Sequence, residues 1–240
     1  MIPTAPSSRA LIIVPTFNEA DNIPRLIRDI AAIVRHDVQI LVVDDNSPDG
    51  TGRIVSEIAR DNPRVALLAR PGREGYARAY LSGFTYALTH GHPIVICMDA
   101  DLSHDPRYLD PFLDALETVD CVVGSRYTAG GGVEDWGWFR RSLSRWGNRY
   151  ARAILGAPLH DMTSGFRGFR SSLLSKIGYE RIRSNGYEFN IEMNYRLFRT
   201  GCTMREIPIR FPDRTKGKSK LSKMIIFNAL VKVWKLRFAA

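Results

Sequence analysis

Acidic side chains follow several short apolar runs of this chain, and Asp99-Ala100-Asp101 is the most informative such segment. It comes directly after residues 94–98, which are five apolar residues in a row. If the backbone stays extended here, alternation with a period of two sends both carboxylates to the same side. Magnesium commonly takes one or two carboxylates together with substrate phosphates, so the pair suits a metal that holds a phosphorylated substrate. The alternative is that Asp101 caps or turns the chain ahead of Pro106.

Polar segments follow three further apolar runs. They are Pro15-Thr16-Phe17-Asn18-Glu19, Asp44 to Gly50, and Gly124-Ser125-Arg126. Ligands of open α/β sheets collect beyond the carboxyl ends of the strands, so we expect these segments to meet at one edge of a sheet. Acidic groups at this density repel one another unless a cation or hydrogen-bond donors compensate them.

The elements that would position these residues alternate along the first half of the chain. Apolar runs predict buried strands at 11–14, 40–43, 65–68, 94–98 and 121–123. Apolar residues three and four apart predict helices at 21–34, about 51–60, about 75–88, and after Pro106. Strands that are apolar throughout and alternate with helices indicate an α/β fold, with a mostly parallel sheet, helices on both faces and right-handed crossovers.

Two glycine-containing segments resemble nucleotide motifs without matching them. Gly72-Arg73-Glu74-Gly75 lacks the spacing of a dinucleotide-binding loop. Gly217-Lys218-Ser219 resembles the end of a P-loop, but Pro212 stands where the earlier glycine is needed. These departures exclude a dinucleotide-dependent oxidoreductase and a P-loop ATPase.

Composition and charge indicate where the protein works. Cys97, Cys121 and Cys202 share no metal-ligand spacing, and we expect reduced thiols. The first residues lack the features of a signal peptide, and no apolar run approaches the roughly 20 residues of a spanning helix. The net charge is +9, of which residues 205–240 carry +8. We therefore expect a cytosolic protein with an anionic partner: nucleic acid, a phosphorylated substrate or a membrane surface.

Two later segments combine basic and apolar residues. Residues 136–152 interleave tryptophans with arginines, a pattern that suits RNA stacking, a membrane interface, or an amphipathic helix docked on the sheet. Residues 221–238 are apolar but interrupted by Lys223, Asn228, Lys232, Lys235 and Arg237. This second segment is predicted to lie on a membrane rather than to cross it, with a core helix as the alternative.

The ordered motifs of the chain resemble the GT-A family 2 glycosyltransferases, and among them the dolichol-phosphate (polyprenol-phosphate) mannosyltransferases. The resemblance covers nearly the whole chain. It rests on Pro15 to Glu19, Val43 to Thr51, Asp99 to His104, Gly124 to Tyr127, Thr163 to Arg167, Gly186 to Phe189, and Arg214 through Lys220. The chain departs from the family pattern at Phe17, where tyrosine is usual, and at Ser103, where some members carry glutamine. Arg73 to Ala77 replaces a glycine-rich stretch.

The resemblance implies a role for each matching residue. Nucleotide-sugar contacts are implied for Pro15, Phe17, Glu19, Val43, Asp45, Ala100, Arg126, Arg214 and Lys220. Magnesium or manganese is implied at Asp99 and Asp101, with Ser103 as a further ligand, and the acceptor phosphate at Arg140 and Ser144. Asp101, Arg126 and Arg214 form the implied catalytic set. An acceptor that is itself a phosphate needs no general base; Asp161 is the fallback base, with a role in a turn or helix cap as the alternative.

The activity that we expect by this resemblance is inverting, metal-dependent transfer of mannose from GDP-mannose to dolichyl or polyprenyl phosphate. One alternative transfers glucose or another sugar from a UDP donor, and a non-enzymatic alternative is a basic module that binds RNA or a membrane. In the leading interpretation residues 1–210 are the catalytic domain, and residues 211–240 form a basic acceptor loop and an amphipathic membrane-interface helix. The protein then sits peripherally on the cytosolic face of a membrane and binds no nucleic acid. A small membrane subunit is a further candidate partner.

Overall fold

The computed structural model describes residues 10–186, 188–212 and 223–238, with 223–229 as backbone only. The strands are β1 (Ala10–Thr16), β2 (Val38–Asp44), β3 (Val65–Ala69), β4 (Ile94–Cys97), β5 (Cys121–Ser125), β6 (Gly132–Val133), β7 (Arg167–Arg170), β8 (Met204–Pro208) and β9 (Arg210–Phe211). The α-helices are α1 (Ile23–Ile33), α2 (Thr51–Asp61), α3 (Tyr76–Thr89), α4 (Leu109–Ala115), α5 (Trp138–Leu155), α6 (Leu173–Ile177), α7 (Glu188–Arg199) and α8 (Lys223–Phe238). Each strand and helix predicted in the first half is confirmed, with ends shifted by a few residues.

The main sheet has the strand order β3-β2-β1-β4-β7-β5-β8. β7 runs antiparallel to both β4 and β5, and the other neighbouring strands run parallel. The predicted α/β fold with a mostly parallel sheet is therefore confirmed. β6 and β9 form a separate parallel pair beside it.

Alternate residues of the central strands enter two hydrophobic cores, one on each face of the sheet. Leu11 and Ile13 of β1 pack with residues of α3, α5, α6, α7 and α8. Ile12 and Val14 pack on the opposite face with residues of α1, α2 and α4. Burial on both faces explains why β1 is apolar throughout rather than alternating.

Helix α3 lies unusually close to β1. A Cβ atom added at Gly83 would lie 2.5 Å from a methyl carbon of Ile13, so a larger residue would push the helix away from the strand. This close approach fixes the helix whose first turns carry Tyr76 and Tyr80. The packing of α3 thus positions side chains at the carboxyl edge of the sheet.

Helix α8 belongs to the same folded body. Val233 and Leu236 are buried against it, while Trp234 and Phe238 are exposed. The Tyr150 hydroxyl donates a hydrogen bond to the Leu230 carbonyl across 3.3 Å. The described part of α8 thus has one face in the core, as in the alternative prediction, while its exposed face also carries large apolar side chains. Among the described residues, we find no helix with the length and hydropathy required to traverse a bilayer.

Candidate active site

The loops after β1 and β2 are joined by hydrogen bonds. Thr16 donates its hydroxyl to Asp44 across 2.9 Å, and Asp44 accepts the Ser47 amide at 2.9 Å. The Ser47 hydroxyl oxygen in turn accepts the Asn18 amide at 3.0 Å. Asn18 has a φ of +62°, a left-handed conformation that asparagine tolerates better than most residues. The two polar segments that sequence analysis placed at one edge of the sheet therefore form a single structure.

Asp45 is buried and bonded through both carboxylate oxygens. Arg70 Nη1 lies 2.6 Å from Oδ1, and the Gly75 amide donates to Oδ2 at 3.0 Å. Arg70 also binds Glu74, at 2.6 Å. Each Asp45 oxygen accepts one of these bonds and keeps a second lone pair, to which a ribose hydroxyl could donate. Through these bonds Asp45 ties the end of β2 to the loop that leads into α3.

Two tyrosines of α3 hold Asp99. The hydroxyls of Tyr76 and Tyr80 lie 3.0 and 3.2 Å from Asp99 Oδ1. The other oxygen, Oδ2, makes no hydrogen bond in the described part of the chain and lies 3.9 Å from His104 Nε2. The Asp99 side chain is 21% exposed. One oxygen of Asp99 is therefore fixed, and the other can take a ligand.

Asp101 lies in a turn and not in an extended segment. β4 ends at Cys97, and Leu102 has a φ of +62°, which is uncommon for a residue other than glycine. This turn brings the Ser103 amide within 3.1 Å of Asp101 Oδ1, which also accepts the Ser103 hydroxyl. The common direction of the two carboxylates was expected only if the extended backbone persisted; β4 ends at Cys97 and residues 100–102 form a bend, so that condition is not met. The turn-forming role considered for Asp101 is present. The Ser103 hydroxyl donates its proton to Asp101 and keeps the lone pairs of its oxygen, with which it could contact a metal.

His104 closes the base of this turn. Its Nδ1 accepts the Asp99 amide at 2.9 Å, so the ring proton of the neutral imidazole is on Nε2, which faces Asp99. The ring stacks on Phe166 at 4.6 Å. Burial lowers the pKa of His104, although the charges of Asp99 and Asp101 act in the opposite direction. His104 is consequently neutral near pH 7 and supports the Asp99 backbone.

Arg126 is fixed by a buried ion pair beyond β5. Its Nε and Nη2 lie 2.7 and 2.8 Å from the two oxygens of Asp161, and Nη2 lies 2.7 Å from the Thr163 hydroxyl. Burial alone would raise the pKa of Asp161, but the charge and hydrogen bonds of Arg126 lower it below its ordinary value. Asp161 is therefore an ionised partner of Arg126, and its engaged oxygens suit it poorly to act as a general base.

Arg140 and Ser144 lie beside the same cluster. Two guanidinium groups lie near the ring of the buried Trp136. That of Arg140 is 3.8 Å from the ring centre, and that of Arg126 is 5.7 Å from it. Ser144 accepts a hydrogen bond from the Tyr127 hydroxyl at 2.7 Å. Arg140 thus shares the Trp136 ring with Arg126. Ser144 shares Tyr127 with Arg126, because the Arg126 guanidinium lies 5.5 Å from the Tyr127 ring centre.

The other implied site residues have different surroundings. Val43 is fully buried in the core, so its side chain is not exposed to a ligand. Phe17 is contacted by the Arg73 guanidinium, 4.1 Å from its ring centre. Arg214 and Lys220 lie outside the described residues. Pro15, Glu19 and Ala100 do lie at the carboxyl edge of the sheet, as expected.

Sequence analysis missed Arg70, Tyr76 and Tyr80. Arg70 directly follows β3, so the strand-end rule would have found it had it been applied there. Tyr76 and Tyr80 are four residues apart at the start of α3, a spacing that places both on one helical face. Tyr76 belongs to the segment that replaces the family's glycine-rich stretch, and its contact with Asp99 could not be seen from the sequence.

The residues present fit a divalent cation held jointly with a ligand. Among the described residues, no group of three or more His, Cys, Asp or Glu side chains could hold a metal alone. Asp99 and Asp101 nevertheless provide two carboxylates beyond one strand, and magnesium is commonly held by one or two carboxylates plus phosphate oxygens. The available Oδ2 of Asp99 agrees with that arrangement.

Comparison with known sequences gives consistent results. The family described as glycosyl transferase family 2 matches residues 11–178. The chain is 41% identical over 239 residues to a polyprenol monophosphomannose synthase of Mycolicibacterium smegmatis, covering 97% of this chain and 89% of that protein. It is 39% identical over 232 residues to an undecaprenyl-phosphate mannosyltransferase of Micrococcus luteus, covering 97% of this chain and 95% of that protein.

Solved structures share the fold at low sequence identity. Glucosyl-3-phosphoglycerate synthase from Mycobacterium tuberculosis, in complex with Mn²⁺, UDP and glucosyl-3-phosphoglycerate, superposes with a TM-score of 0.67 at 18% identity. The match covers 97% of this chain and 80% of that one. The same enzyme in complex with Mg²⁺ and UDP also gives a TM-score of 0.67, at 19% identity.

Proposed function

The chain belongs to glycosyl transferase family 2, and on that premise we propose that it transfers mannose from GDP-mannose to a polyprenyl phosphate. The observation that carries the proposal is the placement of Asp99 and Asp101 beyond β4, at the sheet edge where Arg126 follows β5. The names of the two relatives near 40% identity support mannose as the sugar and a polyprenyl phosphate as the acceptor. Because family members are glycosyltransferases, the non-catalytic RNA- or membrane-binding module is not retained.

The reaction breaks the bond between the anomeric carbon and the nucleoside diphosphate. We propose that Asp99 and Asp101 hold Mg²⁺ or Mn²⁺, which when bound stabilises the negative charge of the leaving diphosphate as a Lewis acid. Mn²⁺ and Mg²⁺ bound with UDP in a structure of the same fold agree with this assignment. Arg126 is already oriented by Asp161, so it can donate charge-assisted hydrogen bonds to phosphate oxygens with little reorganisation. Arg214 and Lys220 are proposed to add further phosphate contacts.

We propose that the acceptor phosphate binds between Arg140 and Ser144. From there one of its oxygens attacks the anomeric carbon of the sugar directly. A phosphate is anionic near neutral pH, so no side chain has to remove a proton from it. The pairing of Asp161 with Arg126 agrees with chemistry that needs no general base. Attack on the face opposite the leaving diphosphate inverts the configuration at the anomeric carbon.

We propose that the enzyme works at a membrane surface, because its acceptor is a lipid. Trp138 and Phe139 of α5 and Trp234 and Phe238 of α8 are exposed aromatic residues of the kind that favours the membrane–water interface. Residues 211–240 would then supply a basic acceptor loop and an interface helix, with residues 1–210 as the catalytic part. The proposed location is peripheral, on the cytosolic face.

A panel of sugar donors tests the proposal. Purified enzyme is given a short polyprenyl phosphate with GDP-mannose, UDP-glucose or GDP-glucose, with Mg²⁺, with Mn²⁺, or with EDTA. We expect a lipid-linked product from GDP-mannose that is lost with EDTA, and a β-linked product from an α-linked donor by NMR. Product from UDP-glucose but not from GDP-mannose would contradict the mannosyl assignment.

A further inference from the structure

Arg73 lies over the ring of Phe17, at the edge of the sheet where the strand ends meet. Its guanidinium carbon is 4.1 Å from the centre of the ring, a distance at which a cation and an aromatic face attract each other. Phe17 directly follows β1, and Arg73 belongs to the loop between β3 and α3. Two loops that are far apart in the sequence therefore meet in a contact to which none of the roles proposed above refers.

The loop that carries Arg73 is held at both of its ends. At its start, the Arg70 amide donates to the Asp44 carbonyl at 2.9 Å. At its end, the Gly75 amide donates to the Asp45 carboxylate at 3.0 Å. A loop fixed in this way, with its side chain placed over a ring, has less freedom to lose when a ligand binds. Arg73 is therefore preorganised for a ligand at this edge.

The guanidinium of Arg73 keeps its hydrogen-bonding edge available. Among the described residues no carboxylate pairs with it, and the neighbouring Glu74 binds Arg70 instead, at 2.6 Å. Arg73 is exposed, whereas Arg70 is buried and bonded to Asp45 as well. A guanidinium that lies over a ring engages its flat face and leaves the N–H groups in its plane for a ligand.

The strand order indicates which part of a nucleotide would reach Arg73. Asp99 follows β4, Asp45 follows β2, and Arg73 follows β3, in a sheet whose order at this side is β3-β2-β1-β4. β3 and β4 are thus three strand spacings apart, or about 14 Å. A nucleotide with its diphosphate beyond β4 and its ribose at Asp45 extends toward β3. Its base is then the part nearest to the loop of Arg73.

Guanine offers the acceptor pattern that an arginine recognises. Its O6 and N7 atoms are neighbouring acceptors, to which a guanidinium can donate two hydrogen bonds at once. Adenine has an amino donor in place of O6, and uracil, like thymine, has the single acceptor O4 on its corresponding edge. A lysine is a point charge without the planar fork and would match this pair less specifically.

We propose that Arg73 binds the O6 and N7 edge of the donor's guanine and thereby makes the enzyme select GDP-linked over UDP-linked sugars. The inference rests on the proposed function in one respect, that the donor is a guanosine diphosphate sugar. Arg73 lies in the segment that replaces the glycine-rich stretch of the family pattern, so the resemblance assigns no role to it. It determines specificity, and no step of the sugar transfer depends on it.

Binding of nucleoside diphosphates, without sugar or acceptor, tests the proposal. Calorimetric titration in Mg²⁺ compares GDP, UDP and 7-deazaguanosine diphosphate, which has a carbon in place of N7. We expect wild type to bind the 7-deaza analogue at least about fivefold and UDP at least about tenfold more weakly than GDP. Arg73→Ala should bind GDP and the 7-deaza analogue alike and should reduce the preference for GDP over UDP at least about fivefold.

Two further variants separate the fork from its charge and from the net charge of the chain. Arg73→Lys keeps the charge without the fork and should lose the distinction between GDP and the 7-deaza analogue. Arg64→Ala removes an exposed arginine at the opposite end of β3 and is the matched control, expected to bind all three nucleotides as wild type does. Thermal unfolding verifies that each variant is folded.

Steady-state kinetics adds a second readout. Arg73→Ala should raise KM for GDP-mannose and leave kcat within about twofold, because a base contact is equally strong in the ground state and the transition state. A fall in kcat with KM unchanged would assign Arg73 to the transition state and overturn the specificity role. Equal weakening of GDP and UDP, with the 7-deaza difference retained, would assign Arg73 to the phosphates and overturn it as well.

Failure of this inference is distinguishable from failure of the proposed function. If wild type prefers GDP and Arg73→Ala keeps that preference in full, the role of Arg73 is overturned and the proposed function is untouched. If wild type prefers UDP, the donor assignment is contradicted and this inference with it. Because the titration involves no transfer, absence of mannose transfer would leave the role of Arg73 in base selection measurable.

Discussion

Tyr76 reaches from the first turn of α3 to Asp99 beyond β4, with its hydroxyl 3.0 Å from Oδ1. Burial raises the pKa of Tyr76 well above its ordinary value, and the charge of Asp99 acts in the same direction, so the phenol stays a donor. Tyr80 donates to the same oxygen. Asp99 is therefore oriented before any ligand binds. Both tyrosines bond to Oδ1, and neither bonds to Oδ2.

Replacing Tyr76 tests this orientation. We expect Tyr76→Phe to lower kcat/KM roughly five- to twentyfold and to raise the metal concentration needed for half-maximal activity, because a hydrogen bond to a carboxylate contributes about 1.5–3 kcal/mol and Tyr80 retains part of it. Tyr86→Phe, on the same helix, is the control and should behave as wild type. Equal losses in the two variants, or full activity of Tyr76→Phe, would show that Tyr76 does not position Asp99.

Removing Asp161 should destabilise the protein as well as inactivate it. Asp161→Asn leaves the buried Arg126 without its counter-charge. We expect this to lower the free energy of unfolding by about 3–5 kcal/mol and the melting temperature by roughly 6–20 °C. The exposed pair of Asp29 with Arg25 provides the control, because Asp29→Asn should cost no more than about 1 kcal/mol. Thermal unfolding compares them, and similar melting temperatures would contradict the assignment.

The pH dependence of this stabilisation follows from the lowered pKa of Asp161. The unfolded state binds a proton more readily than the folded state, so the contribution is present above the ordinary value of 3.8 and is lost as pH falls below it. The difference in unfolding free energy between wild type and Asp161→Asn should shrink on acidification through that range. A difference that grows would reverse the predicted sign.

The two buried cysteines, Cys97 and Cys121, should be unreactive in the folded protein. Burial raises the pKa of Cys97 to about 12 and that of Cys121 well above its ordinary value, so almost no thiolate forms at pH 8. Half-buried Cys202, whose pKa is also raised, should label slowly. A thiol-reactive dye should label all three cysteines after denaturation, and Cys202→Ser should abolish labelling of the native protein. Rapid native labelling of Cys97 or Cys121 would contradict this account.

Lys232 fastens α8 to the body of the protein through Glu192. Its Nζ lies 2.8 Å from the buried carboxylate, which also accepts bonds from Ser184 and Arg196. Lys232→Met should reduce the amide protection of α8 and lower the unfolding free energy by about 1–2 kcal/mol. Lys235→Met removes an exposed charge from the same helix and should leave both unchanged. Equal hydrogen exchange in the two variants would refute the role of Lys232.

The first half of the fold was predictable because its strands are apolar on both faces and its helices are amphipathic. β7, with the sequence Arg-Gly-Phe-Arg, was not, because it has no apolar run. Its buried Arg167 is accommodated by the Ser164 carbonyl at 2.9 Å and by the Asn190 side chain. Such a strand exists through tertiary hydrogen bonds that no local pattern reveals.

The site was predictable at the strand ends and not beyond them. Asp45, Asp99 and Arg126 were found because parallel strands deliver their carboxyl ends to one edge. The partners of these residues were missed. Arg70 follows β3, a strand end that was not considered, whereas Tyr76 and Tyr80 reach Asp99 only after α3 packs on β1. The turn at Leu102 was also missed, because a leucine gives no signal for a left-handed conformation.

The most direct test of the account is the rate of mannose transfer from GDP-mannose to a short polyprenyl phosphate by wild type, Asp101→Asn and Asp114→Asn. Asp114 is an exposed aspartate of α4 and serves as the matched control. The account predicts metal-dependent polyprenyl-phosphate mannose from wild type and Asp114→Asn, and a loss of about a hundredfold or more in Asp101→Asn. No mannolipid from wild type, or full activity of Asp101→Asn, would contradict it.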